Sequence, residues 1–331
     1  MDAINTPKLT TDEFMVPARD PGIAIFVRNK RPADLRSFRP ARTVLFVHGA
    51  TYPAHTCFDF PIDGLSWMDY IAERGYDVYL LDLRGYGKST RPPEMAEPPE
   101  ANPAIVRTAT AVKDIAEVVD FIRERRRIPR LVLLGWSWGT FSSPSYAIAN
   151  PDKVERLVLY APIFTGMTGR LAVAEGGRLP AYRTVTREAA RARWLNGVPE
   201  DKTATLIAPG VFEAWADLTF ATDAEGAKQN PPVIRAPNGV MADVAETFWV
   251  GKPYYDPAQI AVPALLVTAA WDHDVPPSMA RTLLPLLVNA PGKRLVELPQ
   301  GTHSVMMETS RFALFEAVQS FLDDGPSLLS R

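Results

Sequence analysis

The alternation of apolar runs and helical patterns along this chain predicts an α/β fold, with a doubly wound, mostly parallel sheet and a mainly helical insertion. Two observations carry this prediction. Short apolar runs recur, each followed by Gly, Pro or Asp and then by a segment with helical periodicity. One long stretch, residues 165–257, interrupts the alternation before it resumes. With 331 residues, the chain is long enough for a large domain with such an insertion.

Six runs are predicted to be strands because they are apolar without strict alternation, as in strands covered by helices on both faces. These strands are Thr43–Val47, Asp77–Leu81, Leu131–Leu134, Arg156–Leu159, Ala264–Thr268 and Arg294–Leu298. The segments between them show the 3.6-residue period of helices with one apolar face. The predicted helices are Gly64–Arg74, Ala104–Arg127, Trp138–Asn150, Pro277–Val288 and Glu308–Leu322. We interpret the arginines at 123–127 as a solvated helix C-terminus rather than a binding patch.

Two segments depart from this alternation. Arg91–Pro103 holds five prolines in thirteen residues, so we expect a stiff, extended loop. Residues 165–257 carry helical patterns at Thr186–Asn196 and Val211–Ala221, separated by Gly and Pro. Because this stretch follows one sheet strand and precedes the next, we expect it to form a cap over the strand ends. The predicted organisation is a core of residues 1–164 and 258–331 with the cap, 165–257, between its two parts.

The composition excludes several classes of protein. Lys and Arg number 36 and Asp and Glu 38, without a long block of one sign, so no nucleic-acid partner is expected. No apolar run reaches the roughly 18 residues of a membrane span. The single cysteine, Cys57, rules out an intramolecular disulfide and a multi-cysteine metal site, and the first residues lack a basic-then-apolar leader. We therefore expect a soluble, cytoplasmic protein with no membrane partner, and leave open whether it is a monomer or a homodimer.

A serine flanked by glycines stands between a predicted strand and a predicted helix. The segment Gly135-Trp136-Ser137-Trp138-Gly139 has the G-x-S-x-G form of a very tight turn, in which the serine takes strained backbone angles and small neighbours are required. Such a turn exposes the Ser137 hydroxyl and points the Trp138 N–H at a developing oxyanion. The alternative is an ordinary glycine-flanked turn without chemistry. We predict that Ser137 is a nucleophile and Trp138 an oxyanion donor.

A serine nucleophile requires a histidine base that is oriented by a carboxylate. Of the four histidines, His303 follows the last predicted strand and can reach back over the sheet edge, so we predict that it is the base. Asp272 and Asp274 both follow the preceding strand. We favour Asp272 because it lies at the first loop turn, whereas Asp274 is close enough to the next helix to cap it. The predicted chain order is Ser137, Asp272, His303.

The loop after the first predicted strand, Val47-His48-Gly49-Ala50-Thr51, is rich in small residues and can supply a second oxyanion donor. We predict that this donor is the N–H of Ala50, with Thr51 as the second choice. His48 is interpreted as a hydrogen-bonding brace of the turn rather than a proton carrier. Cys57 is interpreted as a small buried or pocket-lining residue, because this scheme gives it no histidine partner.

Four motifs together resemble the α/β-hydrolase fold superfamily: Val47-His48-Gly49-Ala50, Asp82–Ser89, the Ser137 turn, and His303 after the last strand. The resemblance runs from about Gly22 to Phe321, with the cap matching only in position. It implies an eight-stranded, mostly parallel sheet, a Ser–His–acid triad at the strand ends and a cap that shapes the pocket. In such proteins the Asp82–Ser89 motif is a structural turn. The related haloalkane dehalogenases and epoxide hydrolases use a carboxylate nucleophile, so Ser137 argues against both activities.

These residues predict a serine hydrolase that cleaves a medium-sized, partly hydrophobic carboxylic ester through an acyl-enzyme, with no metal or organic cofactor. Three alternatives remain on the same fold: an acyltransferase, a hydrolase of C–C or amide bonds, and a lyase in which His303 acts without a covalent Ser137 ester. An alternative of another class is a ligand receptor that signals through its cap without turnover.

Aromatic and apolar residues near the motifs are the predicted pocket walls, although some of them will belong to the core. They are Tyr52, Phe58, Phe60, Trp136, Trp138, Phe164, Met167, Trp271 and Met306. The early cap is basic, with six arginines against two glutamates between Thr165 and Arg193. This charge either favours an anionic substrate or forms a solvated helix face. The one-turn spacing of Arg187 and Arg191 favours the solvated face.

Overall fold

The computed structural model describes residues 7–164, 179–248 and 251–324, and its main sheet has eight strands. The strands, in chain order, are β1 Leu9–Pro17, β2 Ala24–Pro32, β3 Thr43–Val47, β4 Asp77–Asp82, β5 Leu131–Trp136, β6 Val154–Tyr160, β7 Tyr182–Thr186, β8 Val233–Pro237, β9 Ala264–Ala269 and β10 Lys293–Leu298. The main sheet has the order β1-β2-β4-β3-β5-β6-β9-β10. Its first two pairings are antiparallel and the others parallel, which confirms the predicted fold class.

Helices lie between and after these strands along the chain. They are α1 Ala54–Cys57, α2 Trp67–Ala72, α3 Thr108–Arg126, α4 Gly139–Ala149, α5 Arg187–Trp194, α6 Thr203–Leu206, α7 Val211–Phe220, α8 Gly239–Phe248, α9 Pro277–Leu286 and α10 Arg311–Asp323. Every residue of β3, β4, β5 and β9 is buried. Burial of successive residues requires cover on both faces of the sheet, which explains why these runs are apolar without alternation.

Most core elements lie where the sequence predicts them, and the differences have local causes. Helix α2 begins at Trp67, three residues later than predicted, because Ser66 and Asp69 form a reciprocal capping box. Strands β1 and β2 were not predicted individually. They form the antiparallel edge of the sheet, and residues of β1 alternate between half-buried and exposed, so they lack the apolar runs of the central strands.

The arginine cluster at the end of α3 is more than a solvated C-terminus. The guanidinium of Arg126 is almost fully buried and donates to the Asp77 carboxylate at 2.7 Å. Arg123 and Arg125 form ion pairs with Asp120 and Asp12. The cluster therefore ties the end of α3 to the start of β4 and to the sheet edge.

The inserted segment contains a small sheet as well as helices. Strands β7 and β8 form an antiparallel pair, with Arg183 opposite Ala236. The sequence did not predict this pair because each strand is five residues long and its partner is distant in the chain. In the Pro-rich loop, the structure has two short 3₁₀ turns, Pro93–Ala96 and Pro99–Ala101. None of the helices within the described ranges has the length and hydropathy needed to cross a bilayer.

Candidate active site

The sheet order creates a crevice at the carboxyl ends of β3 and β5. These strands are neighbours, but the chain goes from β3 to β4 on one side before β5 is added on the other. Ligands of open α/β sheets bind at such a switch point. Because β3, β5, β9 and β10 are parallel, the loops that follow them meet at this edge.

Ser137 lies directly after β5 in the strained turn that its motif predicts. Its φ is +54°, in the left-handed region that β-carbon-bearing residues rarely adopt. A Cβ on Gly139 would lie 2.5 Å from the Val47 carbonyl oxygen, and one on Gly135 would overlap the Gly139 carbonyl. The Ser137 N–H donates to the Tyr160 carbonyl at 2.9 Å, which anchors the turn to β6. The two glycines are therefore required by close backbone packing.

The structure brings Ser137, His303 and Asp272 into one hydrogen-bonded chain. Ser137 Oγ lies 2.8 Å from His303 Nε2, and His303 Nδ1 lies 2.8 Å from Asp272 Oδ2. All three residues are buried. The other Asp272 oxygen, Oδ1, accepts from the Val275 N–H at 2.8 Å. This arrangement lets the histidine take a proton from the serine while the carboxylate holds the imidazole in one tautomer.

The His303 backbone is held as firmly as its ring. Its carbonyl oxygen accepts from Trp136 Nε1 at 3.0 Å and from the Tyr160 hydroxyl at 2.8 Å. Both donors come from the ends of neighbouring core strands, β5 and β6. The loop that carries the histidine is therefore fixed to the same two strands that position Ser137.

Asp274 belongs to a different interaction. Its carboxylate accepts from Arg193 Nε at 2.6 Å, whereas the acid bonded to His303 is Asp272. Burial would raise the pKa of Asp274, but the Arg193 guanidinium beside it holds that pKa below its usual range. The predicted capping role of Asp274 is wrong. Helix α9 begins after Pro276 without a side-chain cap, because the chain turns Asp274 toward Arg193.

The loop after β3 places Ala50 beside Ser137. A Cβ on Gly49 would lie 2.8 Å from the Ser137 Cβ, so this loop runs close against the serine. Among the described residues, neither the Ala50 N–H nor the Trp138 N–H has a hydrogen-bond acceptor. Two unpaired N–H groups next to a serine hydroxyl are the donors that an oxyanion needs. Thr51 has φ +92°, and its hydroxyl accepts from Arg183 Nη2 at 2.6 Å.

His48 braces this loop from within the core. Its Nδ1 donates to the Gly49 carbonyl at 2.6 Å, and its Nε2 accepts from the Leu83 N–H at 2.9 Å. Burial lowers the pKa of His48, so the ring stays neutral and keeps the tautomer that this bridge requires. The histidine therefore connects the loop after β3 to the turn after β4.

The turn after β4 is structural as well. The Asp82 carboxylate accepts from His55 Nδ1 at 2.7 Å and from the Lys88 N–H at 3.1 Å. A Cβ on Gly87 would overlap this carboxylate. This network gives His55 a role that the sequence left unassigned. Cys57, in the same region, is fully buried, as one of its two predicted alternatives required.

A cavity of about 350 Å³ opens onto Ser137. It is lined by Ala50, Ser137, Ile163, Arg183, Arg193, Asn196, Val240, Met241, Val244, His273, Asp274 and Val275. A smaller cavity of about 20 Å³ lies against His303 and is lined in part by Tyr52, Trp136, Trp194 and Trp215. The first cavity has the volume of an ordinary small-molecule site.

The predicted pocket walls are therefore only partly placed at these cavities. Tyr52 and Trp136 line the smaller one. Four others line neither cavity: Phe58, Phe164, Trp271 and Met306. Phe58, for example, is fully buried between the rings of Phe46 and Trp67. Phe60 and Trp138 are buried outside both cavities, and Met167 lies outside the described residues.

The larger cavity is formed mainly by residues that sequence reasoning missed. Val240, Met241 and Val244 come from α8, a helix of the inserted segment that was not predicted. Their i, i+1, i+4 spacing is a weak signal of an apolar helix face, but nothing in the sequence shows that this face covers Ser137.

The arginines of the inserted segment divide into two groups. Arg187 and Arg191 on α5 pair with Asp217 and Glu213 on α7 at the surface, as the solvated-face interpretation requires. Arg183 and Arg193 line the large cavity instead. Of the other charged residues of that interpretation, Glu188 lies in the first turn of α5, and Arg170, Glu175 and Arg178 lie outside the described residues. No group of three or more His, Cys, Asp or Glu within the described ranges is arranged to hold a metal ion.

Comparisons with known proteins agree with this architecture. Over 95 residues the chain is 34% identical to (Lyso)-N-acylphosphatidylethanolamine lipase of Homo sapiens, a match that covers 29% of this chain and 25% of the lipase. It is 25% identical over 195 residues to an epoxide hydrolase of Caballeronia sordidicola, covering 50% and 56% of the two chains. A thermophilic esterase from Thermogutta terrifontis superposes with a TM-score of 0.62 at 16% identity, over 97% of this chain and all of the esterase.

The chain thus matches about a quarter of the lipase's length and just over half of the epoxide hydrolase's. The structural likeness at 16% identity shows a shared fold. A family model described as alpha/beta hydrolase fold matches residues 42–310, from just before β3 to just before α10. Since that model covers most of the sequence and all four motifs, this chain belongs to the alpha/beta hydrolase fold family.

Proposed function

We propose that this protein is a serine hydrolase that cleaves a medium-sized, partly hydrophobic carboxylic ester by way of an acyl-enzyme on Ser137. Its family supports a hydrolase. One observation carries the finer proposal: Ser137, held at φ +54°, has its Oγ 2.8 Å from a histidine that is itself bonded to a buried carboxylate. Epoxide hydrolases of this fold need a carboxylate nucleophile, so Ser137 favours acyl transfer over the epoxide chemistry of the Caballeronia relative.

In the first half-reaction, Ser137 Oγ attacks the ester carbonyl carbon while its proton passes to His303 Nε2. The carbonyl oxygen becomes an oxyanion, to which the N–H groups of Ala50 and Trp138 donate hydrogen bonds. The C–O bond to the alcohol then breaks, and His303 gives its proton to the departing oxygen. The products of this step are a free alcohol and an ester on Ser137.

In the second half-reaction, water replaces the alcohol. His303 takes a proton from water as the water oxygen attacks the acyl carbon, and the bond to Ser137 Oγ breaks. His303 returns its proton to Ser137 Oγ, and the carboxylic acid leaves. Throughout, Asp272 accepts from His303 Nδ1 and stabilises the imidazolium that forms twice in each turnover.

The cavity supports the proposed substrate size. Its volume of about 350 Å³ corresponds to roughly a dozen water-sized groups, and Ile163, Val240, Met241, Val244 and Val275 give it an apolar wall. We propose that residues 165–257 act as the cap of this site. In support, side chains from this segment contact three strand-end loops: Arg183 reaches Thr51, Arg193 reaches Asp274, and the Trp194 indole donates to Glu308 at 3.0 Å.

The test is hydrolysis of p-nitrophenyl esters from acetate to octanoate, combined with intact-mass detection of an acyl adduct. We expect Ser137→Ala to abolish turnover and the adduct. Ser145→Ala is the matched control, because Ser145 lies on α4, the helix that follows the Ser137 turn, and its hydroxyl donates to the Phe141 carbonyl at 2.7 Å. The rate should peak at a medium chain length that fills the cavity.

Other results would favour the alternatives. Turnover that survives Ser137→Ala, or turnover without an adduct, would favour a lyase-type role for His303. An adduct that reacts faster with an added alcohol or amine than with water would favour an acyltransferase. Folded protein with neither turnover nor adduct would contradict the ester-hydrolase proposal and favour a receptor.

A further inference from the structure

Arg183 lies at the wall of the Ser137 cavity, and its hydrogen-bond partners among the described residues are all neutral. Its Nη1 donates to the Pro237 carbonyl at 2.8 Å and to Asn238 Oδ1 at 3.2 Å, and its Nη2 donates to Thr51 Oγ1 at 2.6 Å. Within the described part of the chain, no carboxylate lies within 4.0 Å of this guanidinium. Asp274, the carboxylate of the same cavity, pairs with Arg193.

This arrangement differs from that of arginines that are fully buried. Arg84 and Arg235 each pair with a fully buried aspartate. Arg156 contacts three carbonyl oxygens at the C-terminus of α10, where the helix dipole is negative. Arg183 instead lies before the positive N-terminus of α8, which does not offset its charge. Arg183 is half-buried, and a cation that loses part of its hydration without such compensation carries a free-energy cost that a ligand with negative charge would offset.

The geometry of the guanidinium leaves room for that ligand. Arginine has five N–H donors, and Arg183 uses three of them in the described structure. The Nε–H and one Nη2–H remain unpaired among the described residues. Two neighbouring N–H groups of this kind can each donate to one oxygen of a carboxylate. Among the described residues, two arginines and one aspartate line the cavity, so this part of its wall carries a net positive charge. Burial lowers the pKa of Arg183 and the nearby Arg193 charge adds to this effect, but a guanidinium stays charged at neutral pH.

We infer that the substrate is an ester that carries a carboxylate, with the carboxylate bound by Arg183 and the carbon chain against the apolar side of the cavity. This inference rests on the proposed ester hydrolysis and adds the chemical class of the substrate. The basic composition of residues 165–193 suggested a preference for an anionic substrate, and this inference assigns that preference to Arg183. The surface arginines Arg187 and Arg191 already have acidic partners, whereas Arg183 has none among the described residues.

The test compares matched esters with and without the charge. Mono-4-nitrophenyl adipate and 4-nitrophenyl hexanoate place or omit a carboxylate on the acyl side. The hexanoate esters of 4-hydroxybenzoate and 4-hydroxybenzamide do the same on the alcohol side. We expect wild type to show a kcat/KM about ten- to a hundredfold higher for the anionic member of one pair, the range for a hydrogen bond to a charged group. The pair that shows the preference identifies the half of the ester that carries the carboxylate.

Variants then connect the preference to Arg183. Arg183→Gln should reduce the anionic-to-neutral ratio of kcat/KM by about tenfold or more, because glutamine has no positive charge to bind the carboxylate, and Arg183→Lys should restore part of it. Each ratio is measured within one variant, so general losses of activity cancel. Arg187→Gln is the matched control, since it removes the same charge from the surface and should leave the ratio at the wild-type value. A wild-type ratio near one for both pairs would overturn the inference while leaving ester hydrolysis intact.

Binding separates failure of this inference from failure of the proposed function. If folded wild type hydrolyses none of the four esters, ester hydrolysis is contradicted. Calorimetric titration with monomethyl adipate and with dimethyl adipate still tests the carboxylate site. Tighter binding of the monoanion, lost in Arg183→Gln and kept in Arg187→Gln, would support it, and equal binding of the two compounds would overturn it.

Discussion

Replacing Asp272 by Asn should reduce kcat by about 10³- to 10⁴-fold. The Asp272 carboxylate lies 2.8 Å from His303 Nδ1, and its side chain is fully enclosed, so it faces the imidazolium at short range. At an effective dielectric constant of about 20, opposite unit charges about 3 to 4 Å apart attract by roughly 4 to 6 kcal/mol. Each 1.36 kcal/mol of transition-state stabilisation is a factor of ten in rate, which gives the expected range. An asparagine also presents a donor that favours the wrong histidine tautomer.

The assay is steady-state hydrolysis of p-nitrophenyl hexanoate. This ester is neutral, so interactions of a charged substrate group with the site do not affect the measured kcat. Asp274→Asn is the comparison, because Asp274 follows the same strand and pairs with Arg193. Its side chain is 24% exposed and that of Arg193 39% exposed, so we expect a change in kcat below about fivefold. Equal losses in the two variants, or a larger loss in Asp274→Asn, would refute the assignment of Asp272 as the acid.

Three further predictions concern stability, and urea unfolding measures each. Gly139→Ala should lower the free energy of unfolding by about 3 kcal/mol, because its Cβ would lie 2.5 Å from the Val47 carbonyl. Gly75→Ala, with φ +83° but open space around it, should cost only about 1 kcal/mol, and equal losses would contradict this reasoning. His48→Leu leaves the buried Leu83 N–H without its acceptor and should cost about 1 to 3 kcal/mol, so an unchanged unfolding midpoint would disprove the brace. Burial raises the pKa of Glu308 from 4.5 to about 7, so the folded state binds the proton more tightly, and stability should fall by about 3 kcal/mol as pH rises from about 4.5 to 7. Glu308→Gln should remove this slope, and a slope that persists would show that another group causes it.

The polar residues of the candidate site were predictable because their signals are local. Ser137 takes its φ of +54° in a turn that only small neighbouring residues allow, and the glycines at positions 135 and 139 show this requirement in the sequence. His303 and Asp272 follow apolar runs that can only be core strands, and parallel strands bring their following loops to one edge. Period, chain order and a tight-turn motif were therefore sufficient to predict the fold class and to nominate these residues.

Other features depend on contacts between distant parts of the chain, which a local pattern does not encode. The pairing of β7 with β8 joins Tyr182–Thr186 to Val233–Pro237, and the placement of α8 over Ser137 turns Val240, Met241 and Val244 into cavity wall. Aromatic residues near the motifs were expected to line the pocket, but Phe58 fills the core, because sequence proximity does not decide which side of a strand end faces the cavity.

The sequence by itself determined the sheet, the tight serine turn and the residue types that can form the Ser–His–Asp chain. Each of these follows from local steric limits and from the periodicity of apolar residues. Packing of the inserted segment onto the sheet edge determined how charge is distributed at the site. It pairs Asp274 with Arg193, leaves Arg183 with neutral acceptors only among the described residues, and places Arg187 and Arg191 at the surface. The energy of a charge depends on what surrounds it in space, and for these residues those surroundings come from segments far apart in sequence.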